Sequence, residues 1–167
     1  LPHFGTAGTS DAQTCGGQAI MEATSSCLMA YLAGANLIHD VGLLGNATVV
    51  MPEMITTTNE IIAMLHHLLG EVKTDAEALA FDVLAEAGPG GEFVTHPHTF
   101  DHFRSVWYPN LLFRQGDEAW KTSQQEDFAQ RVNAKTREII ESHQPSRLPD
   151  RATEAIRKIL NKALGPD

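Results

Sequence analysis

Leu1-Pro-His-Phe-Gly-Thr-Ala7, the polar run Gly8-Thr-Ser-Asp-Ala-Gln13, and then Leu32-Ala-Gly-Ala-Asn-Leu-Ile-His-Asp40 decide the fold. Pro2 to Ala7 suits a short buried strand, and Thr9 to Gln13 suits the loop that follows it. Between the two quoted stretches, Ala19, Ile20, Ala23, Leu28, Met29 and Leu32 recur at helical spacing, which predicts a helix from about Gly17 to Leu32. Its Ala, Ser and Gly residues let it lie close against a sheet. Gly34 stands where a glycine ends a helix, and Asn36 to His39 reads as the next strand. A strand, a covering helix and a second strand form the repeat of a parallel β/α fold. The first seven residues and Asn36–His39 are therefore expected to be parallel neighbours.

Beyond this repeat the chain reads as mostly helical. Gly42 to Val50 is a loop or short strand. Pro52 suits a first helical turn, and a helix runs on to about Leu69, where Gly70 stops it. Thr74-Asp-Ala-Glu77 matches a capping box and opens a helix to about Ala87, closed by Gly88-Pro-Gly-Gly91. A short helix follows from Thr95-His-Pro-His-Thr99 to Val106, with His98 or Thr99 at its cap. Residues 109–122 look irregular. Ser123-Gln-Gln-Glu126 is a second box, before a helix to about Ser142 with Phe128, Val132, Ile139 and Ile140 as its stripe. After a Pro145–Pro149 linker, Asp150 caps a last helix carrying Ile156, Ile159, Leu160 and Leu164.

The chain has 167 residues and starts at Leu1, where a strand looks already under way. A complete eightfold β/α barrel needs about 250 residues. The expectation is an α/β chain that is the C-terminal fragment of a TIM-type (β/α)8 barrel, predominantly helical with two or three short parallel strands. Residues 1–115 would be the barrel part, and 116–167 a helical extension packed on it. Net charge is −9, and all twelve Lys and Arg fall from Lys73 onward. The first 72 residues carry only Asp11, Glu22, Asp40, Glu53, Glu60 and Glu71 as charged side chains. Clustered basic residues for a nucleic acid are missing there, and a cation-free acidic surround favours a positively charged ligand. Ordinary burial of this half is the plainer explanation for its few charges. No apolar run of membrane-spanning length and no basic, apolar leader occurs. Cys15 and Cys27 give no disulfide framework or metal spacing, which fits reduced thiols in a cytoplasmic protein.

Parallel β/α folds place their chemistry at the C-terminal ends of strands. Asp11 and Gln13 follow the first strand, and Asn36, His39 and Asp40 lie in or after the second. Gln18 and Glu22 are four apart and share a helix face. Asp11 and His39 are the candidate catalytic groups. Gln13, Gln18, Glu22, Asn36 and Asp40 are candidate substrate ligands; helix capping is the plainer role for Gln18 and Glu22, and a satisfied buried histidine for His39. Elsewhere, His98 and His102 share a helix face at a spacing able to hold zinc, with His96 beside them. No HExxH glutamate accompanies them, so no metal site is assigned. Adjacent His66 and His67 cannot face one ligand together and read as surface or packing residues. Cys15 at a helix start suits a stabilised thiolate but has no histidine partner nearby in sequence. Gly88-Pro-Gly-Gly91 lacks nucleotide-loop spacing.

Gly8-Thr-Ser-Asp-Ala-Gln13, Gln18 with Glu22, Leu32-Ala-Gly-Ala-Asn-Leu-Ile-His39, Asp75-Ala-Glu-Ala-Leu-Ala80, Gly88-Pro-Gly-Gly91 and His98-Thr99 occur in one order and spacing. As a set, they resemble the trimethylamine methyltransferase family, the corrinoid-dependent methyltransferases. The match covers most of residues 1–115. The resemblance implies a β/α barrel that moves a methyl group from a quaternary amine or methylamine to cob(I)alamin. That cobalamin is carried by a cognate corrinoid protein, and no cofactor is tightly bound by the enzyme itself. Archaeal trimethylamine enzymes carry pyrrolysine at or beside the place of Thr9. Having none, this chain is similar to the glycine betaine methyltransferase branch, and trimethylamine is the less expected substrate. A quaternary ammonium brings its own charge and a neutral leaving group, and needs a cage of aromatic and acidic groups and positioning.

The expected protein is thus a cytoplasmic methyltransferase with an amine substrate and a corrinoid partner protein, homo-oligomeric, with no nucleic-acid or membrane partner. The fragment alone is expected to be inactive. The alternatives are a metal-dependent barrel hydrolase using His96, His98 and His102, and a non-catalytic dimerising piece.

Overall fold

The computed structural model describes residues 1–165. Strand β1 (Phe4–Thr6) leads through a polar loop into helix α1 (Gly17–Leu32), and β2 (Leu37–His39) follows. The two strands pair in parallel, with Phe4 opposite Leu37, Gly5 opposite Ile38 and Thr6 opposite His39. The expected parallel neighbours are therefore present. The helix between them matches its sequence bounds residue for residue, and Gly34 follows it in the left-handed region at φ 69°.

The stretch read as a loop or short strand holds two short strands. Strands β3 (Leu43–Leu44) and β4 (Val49–Val50) form an antiparallel hairpin, so no third parallel strand exists among the described residues. Asn46 and Ala47 both take positive φ, at 56° and 61°, in the turn between them. Positive φ at both central residues is the sign that suits the twist of paired strands. A β-branched run read without its left-handed turn gives only "loop or strand".

Helix α2 (Pro52–Leu68) starts with proline in its first turn, as expected. The helix expected up to Ala87 is two helices, α3 (Ala76–Leu79) and α4 (Phe81–Ala87), broken at Ala80 with φ 48°. Its cap is Asp75, whose carboxylate accepts from the Ala78 amide at 2.8 Å, not Thr74. Helix α5 (Pro97–His102) is shorter than expected. His96 caps it, its Nδ1 accepting from the His98 amide at 3.1 Å. A six-residue helix α6 (Asp117–Thr122) lies in the stretch expected to be irregular. Helix α7 (Phe128–Ser142) starts from a reciprocal box at Asp127 and Gln130, with bonds of 2.9 and 2.8 Å. Ser123 instead closes a tight local turn onto the Gln125 amide at 3.1 Å. Helix α8 (Asp150–Leu164) completes the described chain.

The core sits where α1 packs against α2 and against β1. Ala7, Ala19, Ala23, Cys27, Leu44, Met54, Ile61 and Leu65 are buried together. Alanines on α1 permit close approach, which is why its buried face is small-residue rather than leucine-rich. A buried carboxylate extends this core: Glu60 on α2 accepts from the amides of Asn110 and Leu111 at 2.8 and 3.0 Å. Two backbone donors satisfy one oxygen that would otherwise be costly to bury.

By its contacts the chain divides into two compact units, residues 1–136 and 137–167, with the boundary inside α7. Residues 116–136 thus belong with the first unit. In it, α7 is held to α2 by Asn133 Nδ2 donating to Glu53 at 2.9 Å and Thr136 donating to Thr56 at 2.8 Å. The second unit contains α8, whose Ile156, Ile159, Leu160 and Leu164 are exposed.

Candidate functional site

Most of the candidate residues lie at or after the C-terminal ends of β1 and β2. After Thr6 the chain passes through buried Ala7 and then Gly8 at φ 72°. A side chain at Gly8 would meet Thr58 Cγ2 at 2.9 Å, so both the turn and the packing demand glycine. The Gly8 amide donates to Ser26 Oγ on α1 at 3.1 Å. The loop then runs beside the segment after β2: Gly42 donates to the Gly8 carbonyl at 3.1 Å, Ser10 to that of Leu43 at 3.0 Å, and Gly45 to that of Ala12 at 2.9 Å. The two strand-end loops are thereby tied edge to edge.

Glu22 fastens the first loop to α1. Its carboxylate accepts from the Ser10 hydroxyl at 2.5 Å, the Asp11 amide at 3.0 Å and Gln18 Nε2 at 2.9 Å. The Ser10 and Gln18 hydrogen bonds hold this carboxyl below the ordinary glutamate value. Gln18 and Glu22 therefore do face one another, as their spacing implies, and both are occupied in holding the loop. The Asp11 side chain that this loop presents is exposed. Gln13 turns back, its amide donating to the Asp11 carbonyl at 3.4 Å and lying against Gly45.

His39 and Asp40 form the other half. His39 Nδ1 lies 2.9 Å from Asp40 Oδ1, and its Nε2 lies 3.2 Å from the Thr6 hydroxyl. Thr6 also reaches Asp40 Oδ2 at 3.3 Å, and Phe4 stacks on the imidazole at 4.2 Å between centroids. Asn36 lies elsewhere: it precedes β2, at the opposite end from His39, and its Oδ1 accepts from the His3 amide at 2.8 Å. There it pins the start of β1 to the start of β2. The structure thus brings the loop of Asp11 and Gln13 beside the end of β2 with His39 and Asp40. It sets Gln18 and Glu22 behind the loop and leaves Asn36 at the far end.

Sequence reading missed Thr6, Ser10 and Phe4. Thr6 and Phe4 carry a usable signal, because in a parallel pair with Phe4 opposite Leu37 they share a strand face with residues bordering His39. Ser10 has no such signal, since its partner Glu22 is reached only through the fold.

The remaining candidates resolve into packing. His98 and His102 stack at 4.3 Å, while His96 and His102 lie 3.5 and 3.7 Å from Glu86 and Glu77. No group of three potential ligands is placed to hold a metal among the described residues. His66 packs edge-on against Tyr31, and His67 stacks on Trp107. Burial pushes the Cys15 thiol up, only partly opposed by the Thr57 hydroxyl, which counters the stabilised thiolate expected at a helix start. Cys15 and Cys27 are both free. No helix among the described residues is long and apolar enough to cross a membrane.

The family model for trimethylamine methyltransferase matches residues 1–163. The chain belongs to the trimethylamine methyltransferase family. It is 30% identical over 162 residues to the trimethylamine methyltransferase MttB of Desulfitobacterium hafniense, covering 97% of this chain and 33% of that protein. It is 31% identical over 150 residues to a glycine betaine methyltransferase from another strain of that species, covering 89% of this chain and 31% of that protein. The trimethylamine methyltransferase MttB2 of Methanosarcina mazei is 28% identical over 163 residues, covering 98% of this chain and 33% of its own length. The chain spans about a third of the length of the curated relatives it matches.

Proposed function

We propose that this chain is part of a β/α-barrel methyltransferase that takes a methyl group from a quaternary amine of the glycine betaine kind, or from a methylamine. The acceptor is the cob(I)alamin of a partner corrinoid protein. The observation that carries this reading is the pair of tied loops at the parallel strand ends, which present Asp11 and Asp40 in a half of the chain without a single Lys or Arg. Family membership supports methyl transfer, and the relatives' names supply the two substrate classes.

A quaternary nitrogen leaves as a neutral tertiary amine once its methyl is taken, so the chain's task is to hold the cation and aim one methyl outward. Asp11 and Asp40 balance the charge, and Gln13 shapes the loop beside them. The corrinoid supplies the cobalt nucleophile when its carrier docks. Both ring nitrogens of His39 are engaged by Thr6 and Asp40, which fits a corrinoid that is ligated on its carrier rather than here.

The test is methyl transfer by the full-length natural protein that contains this chain, with its corrinoid protein reduced to cob(I)alamin. Glycine betaine and trimethylamine are offered separately, and the appearance of methylcobalamin is followed by absorbance. Turnover with glycine betaine is the expected result. Absence of turnover with every quaternary and tertiary amine offered overturns the reading.

A further inference from the structure

We propose that Thr6 is a positioning residue: its hydroxyl closes a ring of hydrogen bonds with His39 and Asp40 that fixes the imidazole at the end of the β1–β2 pair. Three contacts make the ring, at 3.2 Å from Thr6 to His39 Nε2, 2.9 Å from His39 Nδ1 to Asp40 Oδ1, and 3.3 Å from Thr6 to Asp40 Oδ2.

Two features of the backbone build it. Thr6 and His39 are register partners in the parallel pair, so their side chains leave the same sheet face side by side. Neighbours along a strand leave opposite faces, which would send Asp40 away from His39. Asp40 instead takes φ 70°, and this left-handed turn brings its carboxylate back beside the ring. Aspartate tolerates that region better than most residues, yet the conformation still costs free energy. Strain of this kind persists where surrounding contacts enforce it; here the Leu43 amide donates to the Asp40 carbonyl at 3.2 Å, and the two side-chain bonds add to that turn. Phe4 then covers one face of the imidazole, with the rings 12° from parallel.

With Asp40 accepting from Nδ1–H, a neutral ring keeps Nε2 as an acceptor, and the single Thr6 hydroxyl proton is shared between Nε2 and Asp40 Oδ2 as a three-centre bond. Asp40 thus favours that tautomer, and Thr6 holds the ring in the orientation that keeps it. The consequence for the amine site rests on the proposed function: His39 and Asp40 act as one fixed anionic unit and not as two independent ligands. The ring itself does not rest on it.

The experiment reads the imidazole directly. Chain labelled with 15N in histidine is compared by long-range 15N–1H spectra, without ligand, for wild type, Thr6→Val, Thr6→Ala and Thr6→Ser. In wild type His39 should be a single Nδ1–H tautomer. In Thr6→Val and Thr6→Ala it should become a mixture, and Thr6→Ser should restore the wild-type pattern. A pure Nδ1–H tautomer in the folded valine and alanine variants overturns the proposal. Thr6 is exposed, so both should fold; if neither does, the wild-type hydroxyl proton decides. A resolved Thr6 hydroxyl signal near the His39 ring supports the ring, and free exchange with water overturns it. Glycine betaine binding by the full-length protein is a separate arm. Absence of binding by the wild type, with the tautomer change in the variants intact, counts against the substrate reading and leaves Thr6 in its role.

Discussion

Glu22 shows how one side chain can hold a loop in place from behind. Three donors converge on its carboxylate, and they lower its folded-state pKa. A depressed carboxyl contributes stability that is fully present above the unfolded value, about 4.3 for glutamate, and is lost as pH falls through the lower folded value. The Asp11 amide should therefore keep its position in 15N–1H spectra down to about pH 4.3 and shift steeply on further acidification. Glu22→Ala should show the acid-like amide position already at neutral pH. Asp11 is the complementary case, an exposed carboxylate that leaves packing alone. Asp11→Asn should weaken glycine betaine binding to the full-length protein by roughly threefold to tenfold, with the melting temperature unchanged. Calorimetry on both forms checks it, and equal affinities would remove Asp11 from the site.

At the scale of elements, the hairpin β3–β4 sets its turn with a residue ill suited to it. Ala47 takes φ 61° beside Asn46, where asparagine followed by glycine is the preferred pair. Ala47→Gly should raise stability by about 1 kcal/mol, read from denaturant unfolding at unchanged m-value. Backbone of this kind also marks where sequence reading stopped. Helix α1 was fully legible because apolar spacing and a terminal glycine agreed. The break at Ala80 was not, since nothing in Asp75-Ala-Glu-Ala-Leu-Ala80 announces a left-handed alanine in a helical pattern. Caps slid by one to four residues, from Thr74 to Asp75 and from Ser123 to Asp127, because several Ser, Thr and Asp side chains compete for the same free amides. Strand ends did place His39 and Asp40 side by side at the end of β2. Asn36 was grouped with them although it precedes that strand instead of closing it, and its side chain accepts from the His3 amide at the start of β1.

For the whole molecule, the first unit leaves apolar groups uncovered around its parallel pair. Phe4 and Leu37 are each 60% exposed, and Met21 and Leu32 on α1 are exposed as well. Parallel sheets are ordinarily covered on both faces, and two strands alone are marginal. The isolated 167-residue chain should therefore self-associate. Multi-angle light scattering across a concentration series checks this, and a monomer at every concentration would contradict it.

Glu60 has a further consequence, in the language of fragment complementation. Its bonds to Asn110 and Leu111 join two points that are fifty residues apart along the chain, and the Asn133–Glu53 and Thr136–Thr56 bonds likewise join residues on opposite sides of the Gly88-Pro-Gly-Gly91 turn. Covalent continuity through the exposed Gly88-Pro-Gly-Gly91 turn is then unnecessary to the core. A protease cut at that turn should yield two peptides that migrate together on a native gel and separate only under denaturing conditions, whereas the same cut in Glu60→Ala should leave a pair that separates at lower denaturant.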